Sequence, residues 1–175
     1  MASADGLIAD ADGQMPESLK FDADWDYFQA ALDRADVTLI GRHTHEAAPN
    51  TKKRRRLVFS SRARGLIKAN ETTFWIDPAK TDPHVAIAEI SSAASKVAVV
   101  GGRRVFDWVL SNSGFSAFHL SVARQVRLWH GQRIFEDAPE LESAMALLEA
   151  EGLGLSQSAW LDRDAGLELL VYRRS

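Results

Sequence analysis

The stretch VAVVGGRRVFDWVL, Val97 to Leu110, decides the fold, because a β-branched run meets two glycines and two arginines before apolar residues return at helical spacing. Val97 to Val100 reads as a buried strand, and Val105, Phe106, Val109 and Leu110 as the inward face of a helix closed by Gly114. A strand passing through Gly101 and Gly102 into a helix lets the backbone approach a ligand closely. The first helical turn then offers N–H groups and partial positive charge. This geometry suits a pyrophosphate, with Arg103 and Arg104 adding charge; a tight turn with solvated arginines is the plainer reading of the same residues.

Working outward, strand and helix signals alternate. Asp22 to Arg34 carries Trp25, Phe28 and Leu32 at helical spacing and predicts an amphipathic helix. Val37 to Gly41, Leu57 to Ser61 and Thr73 to Ile76 predict strands. Asp82 before Pro83 marks a helix start, with Val85, Ala88 and Ile90 expected on its inner face. Ala117 to Val122 predicts a strand, Pro139 to Ala150 a helix, and Leu155 to Leu161 with Leu167 to Arg173 an antiparallel hairpin. The pattern implies an α/β fold of three layers, α/β/α, with a mostly parallel central sheet and an antiparallel C-terminal hairpin.

In such a sheet, ligands gather beyond the carboxyl ends of the strands. Three strand ends carry residues suited to a polyanion: Gly41, Arg42, His43 and Thr44; Ser60, Ser61 and Arg62; and Gly101 to Arg104. A ribose 2′-phosphate would account for the hydroxyls and guanidinium groups of the first two. Ordinary turn formation would account for Ser60 and Ser61 as well.

GRHT at Gly41 to Thr44, SSR at Ser60 to Arg62, VVGG at Val99 to Gly102 and DGLIA at Asp5 to Ala9 resemble, in this order, dihydrofolate reductase and the C-terminal reductase domain of the RibD type from riboflavin biosynthesis. QMPESL at Gln14 to Leu19 is similar to the mobile loop of these enzymes, and HGQRIF at His130 to Phe135 to a late strand. The resemblance spans nearly the whole chain and implies one dihydrofolate reductase-like domain over residues 1–175. It implies NADPH as hydride donor, with Gly41, Arg42, His43, Thr44, Ser60, Ser61 and Arg62 on its adenosine and phosphate half. Gly101, Gly102, Arg103, Arg104 and Val105 would hold the pyrophosphate, and Ala4, Ile8 and Ala9 would lie near the nicotinamide.

The resemblance also implies a carboxylate on the first helix, four residues before an inward phenylalanine, that binds the substrate ring and assists its protonation. Asp24 stands four before Phe28 and shares its helix face, whereas Asp26 does not. N-terminal helix charge is the second reading of Asp24. The riboflavin enzymes place weight on the aspartate of the first DG motif, here Asp5. Val100 stands where those enzymes carry glutamate, and Glu17 where the folate enzymes carry tryptophan. The implied activity is therefore hydride transfer to a small pterin- or pyrimidine-like heterocycle, as in folate metabolism or riboflavin biosynthesis. The alternative is a noncatalytic nucleotide-binding protein that retains the cofactor cleft.

Composition bounds these readings. The chain has 175 residues, 46% hydrophobic and 26% charged, with no cysteine, which excludes disulfides and thiolate chemistry. No apolar run could span a bilayer and no secretory leader pattern is present, so the expectation is a cytoplasmic protein with no membrane partner. The net charge of -3 argues against nucleic acid. Lys52 to Arg56 (KKRRR) is the one dense basic block; a solvated loop, attraction of a phosphorylated cofactor and a nucleic-acid patch are its three readings. His43, His45, His84, His119 and His130 lack ligand spacing, so no metal is expected. The resemblance to riboflavin enzymes implies a homodimer.

Overall fold

A computed structural model describes residues 1–174. These form two compact units, Met1–Tyr27 with Phe106 onward, and Phe28–Val105.

The second unit holds β3 (Val37–Gly41), the short helix α2 (Arg42–Ala47), β4 (Arg56–Phe59), β5 (Ile67–Lys68), β6 (Thr73–Ile76), α3 (Pro83–Ile90) and β7 (Val97–Gly101). The sheet order is β5-β6-β4-β3-β7, with β6, β4, β3 and β7 parallel and β5 antiparallel at one edge. Val37, Leu39, Ile40, Leu57, Val58 and Ile76 are buried, as β-branched and leucine-rich strands within a parallel sheet require. Two expectations fail here. The run Val97 to Val100 is a half-exposed edge strand of this sheet, not a buried one, because it pairs on one side only. Helix α3 starts as expected, with Asp82 Oδ1 accepting the His84 N–H at 2.8 Å, but it buries Pro83 and Ala86 and exposes Val85 and Ala88. The spacing was right and the chosen face was rotated, since the run offers apolar residues nearly all round.

The first unit contains β1 (Ala2–Ser3), β2 (Leu7–Ala9), β8 (Ala117–Ala123), β9 (Gln132–Arg133), α5 (Leu141–Ala150), β10 (Leu153–Asp162) and β11 (Leu167–Arg174). One sheet runs β1-β8-β11-β10, with β1 parallel to β8 and the C-terminal hairpin antiparallel; β2 and β9 form a separate antiparallel pair. The mostly parallel sheet and the antiparallel C-terminal hairpin are both present as expected, each within its own hydrogen-bonded set of strands. The parallel strands and the hairpin belong to different sheets. Phe106, Phe115 and Phe118 pack edge to face at 5.2–6.4 Å between ring centroids, a geometry favoured by the aromatic quadrupole, and Phe135 meets Phe106 and Phe118 at tilted angles. Leu141, Ala144 and Leu148 form the buried stripe of α5, as their spacing predicts.

Two helices carry residues of both units, α1 (Asp22–Leu32) and α4 (Arg103–Asn112). In α4, Val105 and Val109 are buried, and the Gly114 N–H closes the helix on Val109 O at 2.7 Å. In α1, Leu32 is buried and Phe28 half-buried, but Trp25 is 58% exposed, so the expected inward stripe does not extend to it. Asp24 and Asp22 lie in the first turn, where carboxylates complement the helix dipole.

Candidate functional site

The register of the parallel strands brings three turns to one sheet edge. Gly41 pairs with Phe59, Phe59 with Ile76, and Ile40 with Gly101, so β4, β3 and β7 end side by side in the order β4-β3-β7. The groups Ser60 to Arg62, Gly41 to Thr44, and Gly101 to Val105 follow these ends directly. A methyl group built on Gly41 would meet Val105 Cγ2 at 3.3 Å and Gly101 O at 3.7 Å, and one on Gly102 would meet Thr44 Oγ1 at 3.7 Å. The absent side chains thus leave backbone and the Thr44 hydroxyl facing each other across a small gap. The Gly101–Gly102 peptide is cis.

The polar groups around this gap differ in how far they are engaged. Arg42 pairs with Glu46 one turn on at 3.1 Å and reaches the His43 ring at 3.0 Å. Ser60 is buried and its Oγ accepts the Arg62 N–H at 3.3 Å, which shapes the turn, while Ser61 is exposed. Arg62 and Arg104 are exposed, and among the described residues neither joins a carboxylate. Helix α4 begins at Arg103, directly after Gly102, and a helix of this length leaves its first N–H groups without intrahelical partners. Backbone N–H groups, hydroxyls and two available guanidinium groups form a donor set that fits an anion carrying several phosphate oxygens.

The basic run has a different environment in the same unit. Lys52 Nζ bonds Asp33 at 2.8 Å, and Arg54 closes on Asp33 and on Gln29 Oε1 at 2.8 Å. Hydrogen bonds from Lys52 and Arg54 hold the Asp33 carboxyl below its ordinary value. Arg55 donates to Ser91 at 3.1 Å. Arg56 is only 9% exposed; its guanidinium donates to Ala48 O at 2.6 Å and contacts His45 Nδ1 at 3.3 Å. Burial first, and the Arg56 charge second, push His45 below its usual value, while the ring meets Trp75 edge-on at 5.2 Å.

The remaining sequence candidates lie in the first unit, apart from Phe28. Ala4 and Ile8 are half-buried and Ala9 buried, in and around β2. Asp24 is half-buried on α1. Asp5 accepts from Ser3 Oγ at 2.6 Å and from the backbone N–H groups of Leu128 at 3.2 Å and Trp129 at 2.8 Å. Burial alone would raise Asp5, yet the bonds from Ser3, Trp129 and Leu128 together outweigh it and hold the carboxyl below its usual range. Such a carboxylate is an anchor kept in its charged form. Ser3, missed by the sequence reading, completes the turn by also accepting the Leu7 N–H at 3.0 Å; the spacing Ser-x-Asp-Gly was the available signal. Among the described residues no cluster of three or more histidines and carboxylates could hold a metal, and no helix is long and apolar enough to cross a membrane.

The chain matches no family model and no curated protein sequence. Solved structures do share its fold. A protein from Shewanella sp. PV-4, assigned by name to riboflavin biosynthesis, superposes with a TM-score of 0.69 at 19% identity, over 99% of this chain and 95% of that one. The diaminohydroxyphosphoribosylaminopyrimidine deaminase/5-amino-6-(5-phosphoribosylamino)uracil reductase of Thermotoga maritima gives 0.63 at 15% identity, over 99% of this chain. This chain spans 54% of the length of that bifunctional protein. The chain accordingly shares the fold of these two proteins.

Proposed function

We propose that the chain is an NADPH-dependent reductase that delivers hydride to a small pterin- or pyrimidine-like heterocycle and works as one reductase domain. The observation that carries this reading is the grouping of Gly41 to Thr44, Ser60 to Arg62 and Gly101 to Arg104 at the ends of three neighbouring parallel strands. When bound, the dinucleotide supplies the hydride; binding and orienting it fall to the protein.

In this reading, Arg62, Ser61 and Thr44 hold the phosphate of the adenosine half, and the Gly101–Gly102 backbone and the start of α4 hold the pyrophosphate. Ala4, Ile8 and Ala9 are assigned to the nicotinamide, and Asp24 with Phe28 to the substrate ring, on the strength of the resemblance. Asp24 is the proposed proton donor. Asp5 is the weaker candidate, because three hydrogen bonds favour its anionic form and direct it to the loop at Leu128 and Trp129. The internal engagement of Lys52, Arg54, Arg55 and Arg56 supports a protein without a nucleic-acid partner. A homodimer is the proposed assembly; β10, an edge strand with Leu155 and Trp160 exposed, offers an unpaired edge for it.

Titration with NADPH, followed by its oxidation in the presence of pterins and pyrimidines, tests the proposal. Gly102→Val should weaken NADPH binding at least about tenfold, since a branched side chain would enter the gap facing Thr44, and tenfold corresponds to about 1.4 kcal/mol. Circular dichroism of the variant reports folding separately, and unchanged affinity in a folded variant overturns the assignment. Asp24→Asn should leave NADPH affinity intact and lower turnover. Tight binding with no oxidation of NADPH by any of the heterocycles would favour the noncatalytic binder.

A further inference from the structure

We propose that the cleft beside the Asp5–Gly6 turn is a second ligand site, taking a small planar anion whose ring stacks on Trp129 and whose charge is held by Arg127 and Arg133. It is built wholly from the first unit, shares no residue with the strand-end phosphate cradle, and stands whether or not the reductase reading holds.

Trp129 is 73% exposed, which is unusual for the largest apolar side chain. Its backbone is nevertheless anchored. Its backbone sits in the left-handed region at φ 66°, uncommon for a bulky residue, and its N–H is held by Asp5 Oδ2 at 2.8 Å. Two residues on, Gly131 adopts φ 155° and passes so close to β2 that a Cβ there would lie 2.0 Å from Ala9 O, so the position admits only glycine. The chain then pairs with β2 through β9, with Arg133 opposite Leu7. A loop tied at both ends presents the indole as a preorganised platform, which lowers the entropic cost of stacking a ring on it.

The charges around the platform suit an anion. The Arg127 guanidinium lies 5.9 Å from the Trp129 ring centroid, within cation–π range, and this contact leaves its N–H edge available. Among the described residues the Arg133 side chain reaches only Glu136 O, at 3.5 Å. Among the described residues neither arginine forms an ion pair. His130 also lines the cleft. Two carboxylates do so too: Asp5, which is engaged by Ser3, Leu128 and Trp129, and Glu140 on the rim, so the site fits a ligand of one or two negative charges. The cavity volume of about 390 Å³ accommodates one ring with a phosphate or carboxylate and is at the small end for ligand pockets.

A built-in control exists on β10, where Arg163 lies 5.4 Å from the Trp160 ring centroid on an exposed strand. There Arg124 is engaged by Glu168, the cross-strand partner of Trp160, and the tryptophan sits on a strand rather than in a tied loop.

The test is a titration of the ¹⁵N-labelled full chain with phenyl phosphate, inorganic phosphate and phenol, following the Trp129 indole resonance identified from Trp129→Phe. Phenyl phosphate should shift that resonance and the amides of residues 127–133 saturably, and more tightly than either half alone. Arg127→Ala and Arg133→Ala should each weaken it about tenfold or more, the scale of losing a charge-assisted bond, with amide spectra confirming the fold. Trp160→Phe should change nothing. No shift at Trp129, the same affinity in the double arginine variant, or an equal response at Trp160 would overturn the proposal. NADPH affinity read on the same samples separates this result from the reductase reading.

Discussion

Two cationic regions of the Phe28–Val105 unit look alike in sequence and are opposite in structure. Lys52 to Arg56 is the densest positive run, yet the Asp33 carboxylate, the Gln29 amide, the Ser91 hydroxyl and the Ala48 carbonyl take up four of its five side chains. The strand ends hold fewer cations, but Arg62 and Arg104 are left exposed beside three converging turns. Charge density in the sequence measures neither availability nor convergence. A cation that holds the fold together has its donors occupied, and one at the edge of a parallel sheet has them facing solvent and ligand.

The largest effect that could break this comparison is at Arg56. Arg56→Met should lower stability by about 2 kcal/mol, because it removes a part-buried charge-assisted bond and leaves Ala48 O without its donor. Urea unfolding measures it, and a midpoint like that of the parent chain would show that the run is not structural. Next are Arg62→Ala and Arg104→Ala, each expected to weaken NADPH binding about tenfold while leaving the urea midpoint in place. If both variants bound normally, the strand ends would rank with the basic run as scaffold.

A pH effect of smaller size follows from His45. Its value in the folded state is depressed by burial and Arg56, so its contribution is fully present above the unfolded value of about 6.5 and is lost as pH falls through the lower folded value. Stability should therefore decline below about pH 6.5, and His45→Gln should flatten that decline in melts across the same range. The smallest effect is expected at Lys52. Lys52→Ala removes an exposed ion pair to Asp33 and should barely move the urea midpoint.

The same contrast explains what was legible. The turns Gly41 to Thr44 and Gly101 to Arg104 announce themselves because strand, glycine and helix start are local signals read within ten residues. The role of Asp5 was not legible, since its partners Leu128 and Trp129 lie more than 120 residues away and offer only backbone N–H groups, which have no sequence signature. Arg127, Trp129 and Arg133 were unremarkable for the same reason, as nothing local says that the loop is tied to β2. Trp25 was misplaced because helical spacing gives a face but not a neighbour to cover it.

By itself the sequence determined the alternation of strands and helices, the parallel character of the central strands, the antiparallel hairpin and the positions of the glycine turns. Those properties follow from backbone sterics and hydrophobic period, which act over a few residues. Only the tertiary structure decided that the parallel strands and the hairpin lie in separate sheets, which cations are engaged and which are available, and that the backbone of an exposed tryptophan is anchored by a distant aspartate. Those depend on which distant donors and acceptors meet, and that is fixed when the whole chain packs.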